Sequence, residues 1–200
     1  MTESPDGLPG ERADAARNRV RLLEAAAWLV AERGAEHVTM QKVALVAGVG
    51  KGTLFRRFGD RNGLLLALLN DVEAEFYEAY TCGPPPLGPG APASDRLTAF
   101  GCALIERVAD ETDPGPALGR QVPSERRQTS YYGRAFRHHV RSLLREAGVV
   151  GDHTMLAQAL LAFVDLETLD NLRNDDQVTT ERLQRTWTDL VGRVTGAGER

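Results

Sequence analysis

Two apolar-periodic runs of about two turns each flank Gly48-Val49, and this pairing constrains the chain more than any other feature. Thr39 precedes the first run, Met40 to Ala47, as a residue type that caps helix N-termini. Gly48 follows it and is able to take the positive φ that ends a helix. Gly50 to Phe58 makes the second run. Small side chains at Ala44 and Ala47 let the two helices cross closely, so the segment reads as a helix-turn-helix. At about 100° per residue, Leu54 and Phe58 fall on one face of the second helix while Lys51, Thr53, Arg56 and Arg57 spread over the remainder. One side packs and the other is left for a partner. An α-helix fits the major groove of B-DNA, where each base pair shows a distinct pattern of donors and acceptors. Gly50 and Gly52 allow backbone amides to approach a phosphate, and a helix N-terminus adds favourable partial charge.

A formal charge of -4 does not by itself suggest a polyanionic partner, but its distribution does. Up to Leu65 there are ten Lys/Arg against eight Asp/Glu, and from Leu66 onward fourteen against twenty. Within His37 to Arg61 the bases are Lys42, Lys51, Arg56, Arg57 and Arg61, opposed only by Asp60. A small basic module is therefore joined to an acidic body.

The rest of the chain reads as helix throughout. Residues 1–13 are polar with Pro and Gly and are expected to form a flexible tail. Asp14 to Arg33 is amphipathic and closed by Gly34, and Asp60 caps a run continuing to Tyr80. Cys82 to Ser94 holds five of the ten prolines and is expected to be an interhelical loop. Beyond it, helices are expected over Asp95–Asp110, Ser124–Ala147, about His153–Arg173 and Thr179–Val194, with DPGPALG as a break after Asp110. No segment shows strand alternation bounded by hairpin turns, so the expected fold is all-α. The expected organisation is a helix-turn-helix head at 14–60 on a larger helical body at 61–200.

Val38 to Leu69 resembles the DNA-binding signature of the TetR family of bacterial transcriptional regulators. The residues that carry the likeness are Ala47-Gly48-Val49, Gly52-Thr53-Leu54, Phe55, Phe58, Arg61 and Leu64-Leu65, and LLEAAAWLVAERGAEHVT before them also fits. The resemblance implies that Thr39, Gln41 and Lys42 near the first short helix, and Lys51, Gly52, Thr53, Phe55, Arg56 and Arg57 on the second, contact DNA. Arg61 would grip phosphate from the helix that follows. Two positions depart from the family pattern: Gly50 stands where a Ser commonly caps the recognition helix, and Phe55 where Tyr is frequent. By the same likeness the chain would be a homodimeric, ligand-released repressor on a pseudo-palindromic operator, in the bacterial cytoplasm at the nucleoid. An αα-corner without DNA affinity, an architectural DNA binder without effector, and an all-α ligand-binding or catalytic protein are the competing readings.

The body offers little chemistry of its own. His138 and His139 are adjacent and point about 100° apart, so they do not chelate one metal, and no Glu-x-x-His occurs among the fifteen glutamates and four histidines. No G-x-S-x-G, Walker or dinucleotide glycine motif is present, and Cys82 and Cys102 form neither a CxxC pair nor a disulfide framework. No enzyme activity, cofactor or metal is expected. Phe100, Phe136, Phe163 and Trp187 are candidates to line a pocket for a small apolar or aromatic effector, with His138, Gln158 or Asp165 as polar anchors; ordinary core packing is the competing reading. The run from His153 is apolar on nearly every side. Leu156, Leu160 and Phe163, with Leu183, Leu190 and Val194 of the last helix, are therefore candidates for a homodimer interface, against one fully buried central helix. No apolar run approaches the ~18 residues of a membrane span, and the acidic, Pro- and Gly-bearing opening does not read as a signal peptide. No membrane partner is expected.

Overall fold

The computed structural model describes residues 9–196, with side chains from residue 16 onward. The described residues fold into eleven α-helices and one 3-10 turn, with no strand. They divide into two compact units, with the boundary between Leu68 and Leu69.

The first unit contains α1 (Pro9–Arg33), the 3-10 turn Ala35–His37, α2 (Met40–Ala47), α3 (Lys51–Phe58) and the opening residues of α4 (Arg61–Cys82). Helix α1 begins earlier than the sequence pattern suggests, so residues 9–13 of the expected tail are helical. The remainder of that tail lies outside the described residues. Leu22, Ala26, Val43, Leu54, Leu64 and Leu65 are buried to 4% exposure or less and form the core. Because Leu64, Leu65 and Leu68 bury with this unit, the structural division falls inside α4, whereas the sequence places it at residue 60. Asp60 accepts from the Gly63 amide at 2.7 Å and so caps α4.

In the second unit, α5 (Ala93–Ala109) packs against α6 (Pro114–Arg120), α8 (Tyr131–Glu146), α10 (Leu166–Asn174) and α11 (Thr180–Thr195). Helix α7 (Ser124–Thr129) leads into α8, and α9 (His153–Phe163) packs on α8. Trp187 of α11 is fully buried, its indole Nε1 donating to Thr98 O at 3.0 Å and to Leu97 O at 3.3 Å. Gly101 makes this possible, since a Cβ there would stand 1.9 Å from Trp187 Cε2. Phe76, Tyr80, Phe100 and Phe136 form an aromatic cluster beside it, edge to face except for the tilted Phe76–Phe100 pair.

Three expectations for the body are corrected. The DPGPALG stretch is not simply a break: Pro114–Arg120 is helical. Its prolines occupy the first turn, where backbone N–H groups have no intrahelical acceptor, and Asp113 caps it by accepting from Gly115 N at 2.7 Å. Ser124–Ala147 is two helices, because Ser130 takes an extended backbone and its Oγ accepts from Gly133 N at 3.0 Å. His153–Arg173 is likewise two. Asp165 is extended and accepts from Glu167 N at 3.1 Å, opening α10 in a new direction, so a continuous apolar rod does not form. The loop closes to the residues between Cys82 and Ala93. No helix among the described residues is long and apolar enough to cross a membrane.

Candidate nucleic-acid interface and ligand cavity

The turn between α2 and α3 is built from local signals. Thr39 Oγ1 accepts from Lys42 N at 3.3 Å at the start of α2, and Gly48 ends it in the left-handed region at φ 64°. Arg21 of α1 adds a contact that the sequence reading missed: its Nη2 donates to Ala47 O at 2.9 Å and satisfies a carbonyl at the end of α2. A cation near a helix C-terminus also complements its partial negative charge. No local pattern reveals this contact, because the partners are 26 residues apart.

Helix α3 buries Leu54 completely and half-buries Phe58, which fixes its orientation in the unit. Lys51, Gly52, Phe55, Arg56 and Arg57 are exposed, with Thr53 half-buried. Lys51, Arg56 and Arg57 make no ion pair with any described residue. Gly50 offers no side chain to cap the first turn of α3, so no side chain there competes with an incoming anion. Phe55, 47% exposed, presents an apolar ring beside these cations. Arg19 of α1 joins Arg56 and Arg57 around one shallow concavity, a third cation that the sequence reading did not single out.

The other candidates are placed differently. Thr39 and Gln41 are exposed on α2, whereas Lys42 is half-buried and its Nζ donates to His37 O at 3.1 Å. Arg61 is engaged within its own unit: its Nε donates to Val38 O at 2.7 Å and its Nη2 to Ala35 O at 2.8 Å and Glu36 O at 3.3 Å. The guanidinium clamps the 3-10 turn to α4, because the turn's carbonyls lack strand or helix partners and an arginine fork satisfies several at once.

The second unit encloses a cavity of 360 Å³. Leu104, Phe136, Leu161 and Leu166 supply apolar walls, and Glu73, Arg107, Gln158 and Asp165 are among its polar residues. Arg107 Nε donates to Asp113 Oδ2 at 2.6 Å and its Nη1 to Glu73 Oε2 at 2.8 Å. Burial works against the Arg107 charge, but the bond to Asp113 and the charge of Glu73 outweigh it and leave the guanidinium harder to deprotonate than usual. Burial raises the Glu73 carboxyl above its ordinary range despite Arg107. Arg127 is similarly occupied, donating to Gly119 O at 2.8 Å, Val122 O at 2.7 Å and Glu167 Oε1 at 3.2 Å.

Of the expected effector residues, Phe136 lines this cavity, as do the proposed anchors Gln158 and Asp165. Phe100 and Trp187 lie in the fully buried core instead, Phe163 stacks on Trp187 at 6.2 Å outside the cavity, and His138 is exposed. Residue type alone marks these aromatics as candidates, and packing against neighbouring helices puts most of them in the core. His139, not His138, is the inward histidine. It lies 4.4 Å from the Tyr80 ring with its Nε2 buried and unpartnered, and burial, then the charge of Arg96, hold its pKa down to about 4. Among the expected dimer residues, Leu160 and Leu183 are corrected: both are 2% exposed within the chain's own core. Leu156, Phe163, Leu190 and Val194 are half-buried at its margin.

Comparison with known proteins agrees with this geometry. Residues 22–68 match the model of the tetR family of bacterial regulatory proteins. An HTH-type transcriptional regulator of Staphylococcus aureus strain USA300 is 43% identical over 53 residues, which are 26% of this chain and 29% of the relative. The chain thus spans less than a third of the length of the curated relatives it matches. Among solved structures, a TetR-like transcriptional regulator from Rhodococcus sp. RHA1 aligns with TM-score 0.56 at 18% identity, covering 92% of this chain and 97% of that one. The transcriptional regulator FadR from Bacillus subtilis, in complex with stearoyl-CoA, aligns with TM-score 0.59 at 19% identity, covering 86% and 96%. The fold of the two units is that of these regulators, and the helix-turn-helix unit is similar to that of the tetR family of bacterial regulatory proteins over residues 22–68.

Proposed function

We propose that the chain is a sequence-specific DNA-binding transcriptional regulator that acts as a homodimer and is released from a pseudo-palindromic operator by a small effector. The observation that carries this is the cationic face of α3: Lys51, Arg56 and Arg57 are exposed and unpaired among the described residues while Leu54 anchors the opposite side. Such a helix enters a major groove, and a two-fold dimer puts two of them ~34 Å apart, one turn of the duplex. Thr39, Gln41, Gly52, Thr53 and Phe55 complete the contact surface, with Arg19 as a further phosphate contact. Much of the affinity comes from phosphates, so binding weakens steeply with salt.

The head up to Leu68 binds DNA, and the remainder binds effector and dimerises. Support for an effector comes from the 360 Å³ cavity, whose size and mixed apolar and polar lining suit a small molecule. The fold-sharing regulator from Bacillus subtilis holds stearoyl-CoA, which supports a small-molecule role for this part of the fold. Dimerisation uses α9, where Met155 is 64% exposed beside exposed Ala159 and Ala162, together with the half-buried Leu156, Leu190 and Val194. The effector acts only if it prefers the dimer state whose heads are wrongly spaced for DNA, since equal affinity for both states shifts nothing.

Genomic footprinting followed by fluorescence anisotropy on the recovered sites tests the reading. The expected result is a short inverted repeat bound by the wild type, with Lys51→Ala weakening it by about 1–3 kcal/mol. Sequence-independent binding with no footprint would instead identify an architectural DNA binder. Absence of DNA affinity would reject the regulator.

A further inference from the structure

The charge pattern inside the cavity selects its ligand more narrowly than size and hydrophobicity do. Glu73, Arg107 and Asp113 form one ion-paired group of two carboxylates and one guanidinium, with side-chain exposures of 14%, 18% and 15%. Asp113 is fully occupied: Oδ2 accepts from Arg107 Nε, and Oδ1 from Gly115 N at 2.7 Å. Glu73 is not. Its Oε2 takes the Arg107 bond, while Oε1 has no partner among the described residues. Glu73 lines the cavity, and Tyr132 and Phe136 line it with aromatic rings. The group therefore holds one negative charge in excess, withdrawn from water, with an acceptor oxygen open at the wall of an apolar chamber.

The cavity's arginines do not reverse this balance. Arg107 and Arg127 are each held by protein acceptors. Arg137 lines the cavity without a carboxylate partner, but it is half-exposed and is followed along α8 by the exposed His138 and Arg141, so solvent screens it. A desolvated charge outweighs a screened one. Burial already disfavours the ionised Glu73, so a bound cation relieves a cost that the empty cavity carries.

We infer that the cavity is built for an amphipathic cation, an apolar or aromatic body bearing a protonated amine. The amine meets Glu73 Oε1 in a charge-assisted hydrogen bond and the faces of Tyr132 and Phe136 in cation–π contact, while the body fills the space along Leu104 and Leu161. This rests on the reading of the cavity as the effector site.

Three ligands with one body and different heads test it on the full-length protein without DNA: 4-phenylbutylamine, 4-phenylbutanol and 4-phenylbutyrate, each titrated by calorimetry. The amine is expected to bind about tenfold or more tighter than the alcohol, with the acid weakest. In Glu73→Gln, which retains an acceptor for Arg107 but not the charge, the preference of amine over alcohol is expected to vanish while alcohol binding stays. Equal binding of all three by the wild type, tightest binding of the acid, no binding of any, or an amine preference that survives in Glu73→Gln would each overturn the inference. The wild-type series stands even if the variant folds poorly. Operator binding, measured separately by anisotropy, shows whether the regulator reading fails or only the ligand class.

Discussion

Helix α3 of the head and the helices of the body use arginine in opposite ways. On α3 the guanidiniums of Arg56 and Arg57 are exposed, with no acceptor among the described residues. In the body Arg107 is held between Glu73 and Asp113, Arg120 pairs with Asp170 at 2.8 Å through both ends of its fork, and Arg127 ties two backbone carbonyls to Glu167. A cation already matched to a carboxylate has little to gain from a phosphate, whereas an unmatched one retains its full capacity for an incoming anion. Composition alone does not separate the two uses. The body contains more bases than the head, and what distinguishes α3 is that Lys51, Arg56 and Arg57 make no ion pair with any described residue.

The largest effect that separates the regions should come from Arg107→Ala. Removing it leaves Glu73 and Asp113 facing each other without a countercharge, and a loss of about 3 kcal/mol in unfolding free energy is expected by urea denaturation. A loss no larger than that of a surface substitution would show that the body's ion pairs are dispensable and blur the contrast. Arg57→Ala should do the reverse. Operator affinity should fall by about 1–3 kcal/mol while stability stays within about 0.5 kcal/mol, and a large stability change would reveal a partner for Arg57 in the folded head.

A third measurement probes burial in the body through His139. Unfolded, this imidazole titrates near 6.5; folded, it resists protonation until about pH 4, because burial and then Arg96 oppose its charge. Between those values the unfolded state binds more protons, so this contribution to stability is present above about pH 6.5 and is lost as the pH falls toward 4. After discounting for partial exposure, about 1–2 kcal/mol is expected. His139→Phe should flatten the dependence of melting temperature on pH in that window; an unchanged slope would assign it to other groups.

The smallest effect belongs to Gly50→Ser in the head. No atom lies within 4 Å of a Cβ built there, and the backbone, at φ -65° and ψ 141°, suits an N-cap serine. A gain of a few tenths of a kcal/mol in stability is expected. A loss would mean that the first turn of α3 relies on its bare amides.

The difference between the regions also explains which parts of the fold were legible. Thr39, Gly48 and Asp60 mark boundaries in the head through bonds to residues no more than four positions away, so reading along the chain suffices. Ser130 and Asp165 carry the same kind of signal in the body. Apolar periodicity runs through both sites, and the caps were hidden beneath it. Arg61 shows a different limit. Its charge and position match a phosphate contact, but three carbonyls between Ala35 and Val38 take its donors. Arg19 shows the converse, since nothing around it in sequence sets it beside Arg56 and Arg57.

What the sequence determined alone is therefore the helix-turn-helix and the cationic face of α3, because caps, a left-handed glycine and a 3.6-residue period act within a turn or two of the chain. Tertiary structure alone decided which charges are neutralised and where space remains. Arg107 meets Glu73 across 34 residues and Arg120 meets Asp170 across 50, and the cavity exists only because seven helices and their linking turns leave a gap between them. Such pairings depend on distances through space that no local preference encodes, and it is burial that gives them their energy.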